Sequence, residues 1–165
     1  MPAAAEAAGP PPELAGAFFL ISPDAILSGR ASSVLQMLAS DHRSVAACLW
    51  HRLSAEDVAK LYSANRSSRP RTEFDALVEQ LFGQGESLCG LVVSGTAGGQ
   101  ALFKSLHDLK GPSDPTRCAP TQIRRALGST NKVLNLVHVS DSLVDSTRER
   151  TALFGVGPLP PAPSM

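Results

Sequence analysis

The stretch "NLVHVSDS" (residues 135–142) places one histidine between an apolar run and a cluster of hydroxyl and carboxylate side chains. The apolar residues before it predict a strand over 132–139, and "DSTRERTALF" (145–154) predicts a closing helix after it. His138 therefore stands where the last strand of the chain ends. Taken alone, it either caps the end of a strand or acts as a nucleophile, and the first is the commoner role of a single histidine.

Three further strands are predicted upstream from short apolar runs bounded by turn residues. They are "AFFLI" (17–21), "SVAACLWHRL" (44–53) and "ESLCGLVVSG" (86–95). Between and after them, apolar residues recur at helical spacing. The predicted helices cover 31–39, 54–62, 72–82 and 98–109. This order of strands and helices is that of a split βαβ unit, which builds an antiparallel sheet with helices packed on one face.

Two of the predicted helices carry more specific signals. Ser54 and Asp57, three residues apart, predict a helix start in which side chains and backbone hydrogen-bond reciprocally. The helix over 72–82 is predicted to be amphipathic, with one apolar face towards the core. That face consists of Phe74, Leu77, Val78 and Leu81.

Length and composition restrict the class of protein. A chain of 165 residues is long enough for one domain, here predicted at 17–154 between disordered Pro/Ala-rich tails at 1–16 and 155–165. The 15 basic and 15 acidic residues balance, which argues against the basic stripe of a nucleic-acid-binding protein. Without a signal-peptide pattern or an apolar run of about 20 residues, the sequence predicts a cytoplasmic protein with no membrane contact.

The three cysteines are too few and too scattered for a disulfide framework, so we expect reduced thiols. Cys48 and His51 have the spacing of metal ligands, but no second pair is present to complete a zinc site. We therefore interpret "CLWH" (48–51) as part of a buried core strand, and we predict no metal site formed by protein ligands.

The segment "GPSDPTRCAPTQIRRALG" (111–128) supplies a glycine, a serine, prolines and an arginine shortly before "NLVHVSDS". Together these segments resemble the nucleoside diphosphate kinases, in which a Gly-x-Thr-x-Pro loop leads through Pro and Ile-Arg to Asn-x-x-His-Gly-Ser-Asp-Ser and a closing helix with Glu. The spacing matches without gaps over 111–124 and 135–149. Upstream, "FFLISPDAI" resembles the family's first strand with its Lys-Pro-Asp, and the resemblance extends over 17–154.

The resemblance implies an α+β fold of the ferredoxin-like, split βαβ type, a four-stranded antiparallel sheet with helices packed around it. It also implies a phosphotransferase that moves a γ-phosphoryl group from a nucleoside triphosphate to a diphosphate through phospho-His138. Glu149 would orient the imidazole, and Ser140 would support that orientation. The nucleotide-binding residues implied in the same way are Arg124, Asn135, Ser113, Tyr62, His107 and Phe74. Mg²⁺ would be carried by the nucleotide, held by phosphates and water.

Two departures from the family pattern concern phosphate-facing cations. Ser22 stands in place of the lysine that lies beside the transferred phosphoryl group. Loss of that ammonium predicts a rate lower by about one to three orders of magnitude. His107 stands where the family has a phosphate-binding arginine. The resemblance therefore implies slow turnover and weak nucleotide binding.

Two other departures concern the residue that follows His138 and the residue that stacks on the nucleobase of the substrate. Val139 replaces the glycine that follows the histidine, and Glu73 falls where a phenylalanine stacks on the nucleobase. Phe74 or Arg71 would take over that stacking. The family continues after its closing helix into a segment that packs on a neighbouring subunit, whereas this chain turns to proline-rich sequence. The resemblance thus implies a homo-oligomer, and a dimer through a helix and the second strand rather than a hexamer.

Three functions are compatible with these residues. The first is a working phosphotransferase, supported by the joint presence of the nucleophile and the residues that orient it. The second is a catalytically impaired module that binds nucleotide or protein, supported by the two lost cations. The third is a phosphohistidine relay, in which the acceptor is another protein or an unusual nucleotide.

Overall fold

The computed structural model describes residues 16–63, 70–95 and 99–154. Both predicted tails, apart from residue 16, lie outside the described residues. Within the three described segments, no helix is both long and apolar enough to cross a membrane.

Four strands form one sheet in the order β2-β3-β1-β4, and every neighbouring pair is antiparallel. They are β1 (Gly16–Ile21), β2 (Arg43–His51), β3 (Ser87–Ser94) and β4 (Val137–Val139). Strand β1 pairs with β3 along its whole length and with β4 over three residues. The sheet order is that of the split βαβ arrangement, so the predicted ferredoxin-like α+β fold is confirmed.

Helices connect and cover the strands on both faces of the sheet. They are α1 (Pro23–Leu27), α2 (Ala31–Leu38), α3 (Ala55–Leu61), α4 (Glu73–Gln84), α5 (Gly99–Lys110), α6 (Ile123–Ala126) and α7 (Leu143–Phe154), with a 3-10 turn at Pro115–Arg117. In β1, Phe19 and Ile21 join a core with α2 and α5, whereas Phe18 and Leu20 join a core with α3, α4 and α7. The expectation from the order of elements, helices on one face, is wrong because β1 is buried on both sides.

Strand β2 lies at the edge of the sheet, and the prediction of a buried core strand at "CLWH" is wrong. Cys48 and Leu49 are exposed, and Trp50 is 54% exposed. The pairing with β3 shifts register between Ala46 and Leu49, so a β-bulge interrupts the strand. A strand with one sheet neighbour and an irregular register does not bury its large side chains on both faces.

Helix α4 begins as its sequence predicts, but it buries a different face. Thr72 and Asp75 form a capping box that fixes the first turn. Because the capping Asp75 is turned inward, the buried positions of the helix are Asp75, Val78 and Phe82. Phe74 and Leu77, predicted to face the core, are 42% and 53% exposed.

Strand β4 is shorter than the predicted 132–139, because Leu136 has a φ of 71°. A branched side chain rarely adopts this left-handed conformation, so the surroundings must hold it there. The Leu136 N–H donates to Asp24 Oδ2 at 3.2 Å, and its C=O accepts from the Ser22 N–H at 3.1 Å. These bonds clamp the backbone two residues before His138.

Ser146 of α7 completes the hydrogen bonding of β1 beyond the end of β4. The Phe18 N–H donates to Ser146 Oγ at 2.9 Å, and the Ser146 hydroxyl donates to the Gly16 C=O at 2.8 Å. The Phe18 C=O accepts from the Ser140 N–H at 3.0 Å. A helix side chain thus bonds the β1 backbone where a longer β4 would have paired with it, and it fixes the position of α7 relative to the sheet.

We expect Ser146→Ala to lower the free energy of unfolding by about 2 kcal/mol, because a buried N–H and a buried C=O lose their partner. Thr147→Ala, an exposed position on the same helix, should change it by less than about 0.5 kcal/mol. Urea denaturation of both variants measures the difference. Equal effects of the two substitutions would contradict the assigned role of Ser146.

Candidate active site

A cleft of about 250 Å³ opens beside β4, and it collects most of the predicted site residues. Those that line it are Tyr62, Phe74, Ser113, Arg124, Asn135 and His138. Ser140 and Glu149 lie buried behind the histidine. His107 does not line this cleft. Residues brought together from five separate parts of the chain therefore share one surface.

His138 is the central residue of β4, and one of its ring nitrogens is held from behind. Its Nε2 lies 2.9 Å from Glu149 Oε2. Because a carboxylate only accepts, the neutral ring carries its proton on Nε2 and its lone pair on Nδ1. The imidazole is 20% exposed and lines the cleft, so Nδ1 is the nitrogen left for a ligand.

The Glu149 carboxylate is buried and receives donors on both oxygens. The Ser140 hydroxyl donates to Oε2 at 2.5 Å, and Arg148 Nη2 donates to Oε1 at 3.2 Å. Arg148 Nη1 also donates to the Lys60 C=O at 3.2 Å, which links α7 to the end of α3. A buried charge with this many charge-assisted bonds has one orientation, and it imposes that orientation on the imidazole.

Aromatic rings restrict the plane of the imidazole. The Tyr62 and His138 ring centroids are 5.9 Å apart in an edge-on arrangement, and the Phe18 ring lies 6.4 Å from His138 on a tilted plane. Tyr62 follows directly after α3, so the packing of that helix places its ring against the nucleophile candidate. Ring packing and the Glu149 bond together position Nδ1.

Arg124 is buried in the cleft wall and joins the loop after α5 to β4. Its guanidinium donates to the C=O groups of Gly111 at 2.7 Å, Val137 at 2.9 Å and Asn135 at 3.3 Å. Burial lowers the pKa of this guanidinium. Three of its five N–H donors are used by backbone, which leaves two for an anion in the cleft.

The loop that resembles the family's Gly-x-Thr-x-Pro pattern begins at Gly111, and its backbone conformation requires a glycine there. Its φ is 80°, a conformation that favours glycine, and a Cβ there would lie 2.9 Å from both Cys118 Sγ and Gln122 Oε1. Only a glycine therefore lets the loop turn tightly enough to bring its C=O to Arg124.

The outer part of the cleft is formed by polar side chains and one aromatic ring. Ser113 is exposed, and Asn135 Nδ2 donates to the Lys132 C=O at 2.9 Å. Phe74 presents its ring at the rim, whereas Arg71 pairs with Glu79 on the outside of α4. Of the two residues predicted to stack on a base, Phe74 is the one that lines the cleft.

His107 lies outside the cleft, on the exposed side of α5. Its Nδ1 is 3.1 Å from Asp141 Oδ1, and it lines a neighbouring cavity. Ser22 also does not line the cleft, since it is buried and its hydroxyl donates to Asp24 Oδ1 at 2.5 Å. Neither position places a cation beside His138.

Lys110 also lines the cleft, although the family pattern does not mark it. It ends α5 one turn after His107, is 7% exposed and lines the cleft. The Nζ donates to the Val139 C=O at 3.1 Å and to Asp141 Oδ1 at 3.2 Å. A sequence signal was present: Lys110 follows Leu106 by four residues, so it occupies the apolar phase of an amphipathic helix.

The described residues contain no group of three or more histidine, cysteine, aspartate or glutamate side chains placed to hold a metal ion. Asp141 is a carboxylate on the cleft, and it already accepts from Lys110 and His107.

Comparison with known proteins relates the chain to nucleoside diphosphate kinases. The family model described as nucleoside diphosphate kinase matches residues 16–157. The nucleoside diphosphate kinase of Rhodococcus erythropolis is 30% identical over 136 residues, which cover 82% of this chain and 91% of that protein. The enzyme of the same name from Wolinella succinogenes is 28% identical over 135 residues, with the same two coverages.

Solved structures agree on the fold. The nucleoside diphosphate kinase from Encephalitozoon cuniculi superposes with a TM-score of 0.74 at 21% identity, over 88% of this chain and 92% of that one. The one from Aquifex aeolicus gives 0.70 at 23% identity, over 83% and 92%. The family model spans most of the sequence, and a relative at 30% identity covers 82% of it, so the chain belongs to the nucleoside diphosphate kinase family.

Proposed function

We propose that this protein is a nucleoside diphosphate kinase-like phosphotransferase that carries a γ-phosphoryl group on His138. The observation that supports this most directly is the Nε2–Glu149 bond at 2.9 Å, which leaves Nδ1 to the cleft. A fixed, neutral imidazole is a good nucleophile for phosphorus near pH 7. Its two substrates would be a nucleoside triphosphate and a nucleoside diphosphate.

In the first half-reaction, the Nδ1 lone pair of His138 attacks the γ-phosphorus. A P–N bond forms while the bond from the γ-phosphorus to the bridging oxygen breaks, and the electron pair leaves with the diphosphate. The Nε2 proton stays in its bond to Glu149, whose charge stabilises the imidazolium character that develops. Ser140 and Arg148 hold the carboxylate in place during this change.

In the second half-reaction, a terminal oxygen of the acceptor diphosphate attacks the phosphorus on the ring. The P–N bond breaks, Nδ1 recovers its lone pair, and the new triphosphate leaves. Arg124 would bind phosphate oxygens with its two remaining donors, and Ser113 would add a hydroxyl from the loop. Phe74 would stack on the base at the rim of the cleft.

Magnesium would enter with the nucleotide. When bound by phosphate oxygens and water, the ion neutralises part of the charge on the triphosphate tail. The polypeptide then has to orient the triphosphate tail and the imidazole of His138. The Arg124 guanidinium and the Ser113 hydroxyl would orient the tail, and the Glu149 carboxylate would orient the imidazole.

We expect turnover to be slow, because neither Ser22 nor His107 places a cation on the cleft. That observation also favours the second candidate, a module that binds nucleotide or protein without turnover. A phosphohistidine relay would share the first half-reaction and differ only in its acceptor. The predicted cytoplasmic location belongs to this proposal, since both substrates are intracellular metabolites.

Incubation with γ-labelled ATP and magnesium is expected to label the protein with acid-labile, base-stable phosphate, as a phosphohistidine requires. His138→Ala should abolish the label, because the nucleophile is gone. His42→Ala, an exposed histidine away from the cleft, should label like the wild type. Mass spectrometry of the labelled peptide locates the phosphate.

Transfer of that label to GDP separates the candidates. Label that moves to GDP supports the phosphotransferase, and label that persists in the presence of GDP indicates the relay. If the wild-type protein binds ATP at saturation and acquires no label, the phosphotransferase proposal is wrong and the binding module stands.

Glu149→Gln is expected to slow labelling of His138 by at least about tenfold, because the neutral amide keeps a hydrogen-bond acceptor but loses the charge that stabilises the imidazolium. Rapid-quench labelling at saturating ATP measures the rate. The affinity for ADP should stay within about twofold, since Glu149 lies behind the ring and away from the cleft. An unchanged labelling rate would show that the carboxylate does not act on the reacting ring.

We also propose that the protein is a homodimer that pairs through the β2 edge. Leu49 and Trp50 expose large apolar surfaces on this open strand edge, which favours association. Trp50→Lys is expected to shift the mass measured by light scattering from dimer to monomer. Leu27→Lys, at an exposed apolar site outside the sheet, should leave the dimer intact. A wild-type monomer or hexamer would refute the proposed assembly.

A further inference from the structure

Lys110 brings a buried ammonium to the cleft from α5, the helix whose predicted nucleotide-binding residue, His107, lies outside the cleft. It lies at the last position of α5, whereas the predicted site residues that line the cleft lie on other helices, loops and β4. Among the described residues that line the cleft, Lys110 and Arg124 are the buried cations, and Lys132 is largely exposed at the rim.

The protein satisfies only part of the hydrogen-bonding capacity and of the positive charge of the Lys110 ammonium. Of its three donors, one binds the Val139 C=O and one binds Asp141 Oδ1. The Asp141 side chain is 63% exposed and is shared with His107, so the counter-charge is solvated and divided. Arg124 adds a second positive charge nearby. One N–H and much of the charge of Lys110 are thus left for a ligand.

A purely structural role does not explain a lysine at this position. The preceding residues of the same helix face, Leu102, Phe103 and Leu106, are buried and apolar. A leucine or methionine at 110 would continue that face without the desolvation cost of an ammonium. Burial does lower the pKa of Lys110, as expected for a charge that lacks full compensation.

We propose that Lys110 Nζ binds phosphate oxygens of the nucleotide tail and, with Arg124, forms a two-cation cradle on the cleft side of His138. The Val139 C=O holds the ammonium beside β4, one residue from the histidine. The Asp141 carboxylate pairs with the ammonium at 3.2 Å and would give way to a phosphate when nucleotide binds. This inference rests on the proposed nucleotide-binding function and adds a phosphate-binding residue to it.

The test compares affinities for ADP and for adenosine, both with magnesium, in the wild type and in Lys110→Met. Loss of the ammonium is expected to weaken ADP binding by at least about tenfold, as for a hydrogen bond to a charged group. Adenosine, which has no phosphate, should change by less than about twofold. Lys104→Met removes an exposed lysine from the same helix and serves as the matched control, with no expected change.

Two further measurements keep the proposal falsifiable if Lys110→Met does not fold. Lys110→Gln retains a donor for the Val139 C=O but carries no charge, and it should show the same tenfold loss. In the wild-type protein, bound ADP should protect Lys110 from acetylation by an amine-reactive reagent and leave the modification of Lys104 unchanged. Peptide mass spectrometry quantifies both lysines.

The outcomes separate this inference from the proposed function. ADP affinity within about twofold of the wild type in both variants, or an equal loss for adenosine, would overturn the role of Lys110. Wild-type protein that binds ADP but never labels His138 would overturn the phosphotransferase and leave the Lys110 result valid. Wild-type protein that binds no ADP at millimolar concentration would overturn both.

Discussion

The buried Glu149 carboxylate is the constraint on which the site depends. An ionised group out of contact with water is costly unless donors surround it, and here the donors are His138, Ser140 and Arg148. They come from β4, from the residue after it and from α7, so satisfying one charge fixes the position of a strand against a helix. Ser146 fixes the same helix to β1. The orientation of His138 is therefore fixed by the same hydrogen bond that helps to satisfy the buried Glu149 carboxylate.

Arg124 plays a comparable role on the other wall of the cleft. A guanidinium with five donors holds three backbone carbonyls together, and the loop that begins at Gly111 is thereby tied to β4. Both walls are therefore organised by buried charges that lie close to the same ring. Apolar packing would hold the elements together at lower cost, but it would leave the cleft with no fixed donors for a phosphate tail.

The sequence predicted the fold and the residues around the histidine because that part of the family pattern is contiguous and ungapped. The sequence-based prediction was wrong where the conformation or burial of a single residue decides the length of a strand or the buried face of a helix. Alternating hydrophobicity does not tell an edge strand from a central one, so Trp50 was placed in the core. The left-handed Leu136, which shortens β4, is held by a hydrogen bond to the distant Asp24. On α4, the capping Asp75 is buried where the apolar pattern predicted Phe74. Lys110 lies one helical turn after His107. The family pattern marks position 107, whereas only the apolar phase of the helix marks position 110.

The cleft cation has a different origin in this chain from the one that the resemblance implied. The Ser22 hydroxyl binds Asp24, and the other oxygen of Asp24 holds the left-handed Leu136 before β4. Position 22 therefore helps to hold the backbone that presents His138, and a long charged side chain there would lose this bond. An ammonium about 4 Å from a phosphate oxygen is worth about 4 kcal/mol at an effective dielectric constant of 20, whereas a neutral hydrogen bond contributes about 1 kcal/mol. A hydroxyl at 22 does not replace that attraction. The proposed contact between Lys110 Nζ and the phosphate tail would offset part of the loss from the end of α5, whereas position 22 itself still supplies no charge.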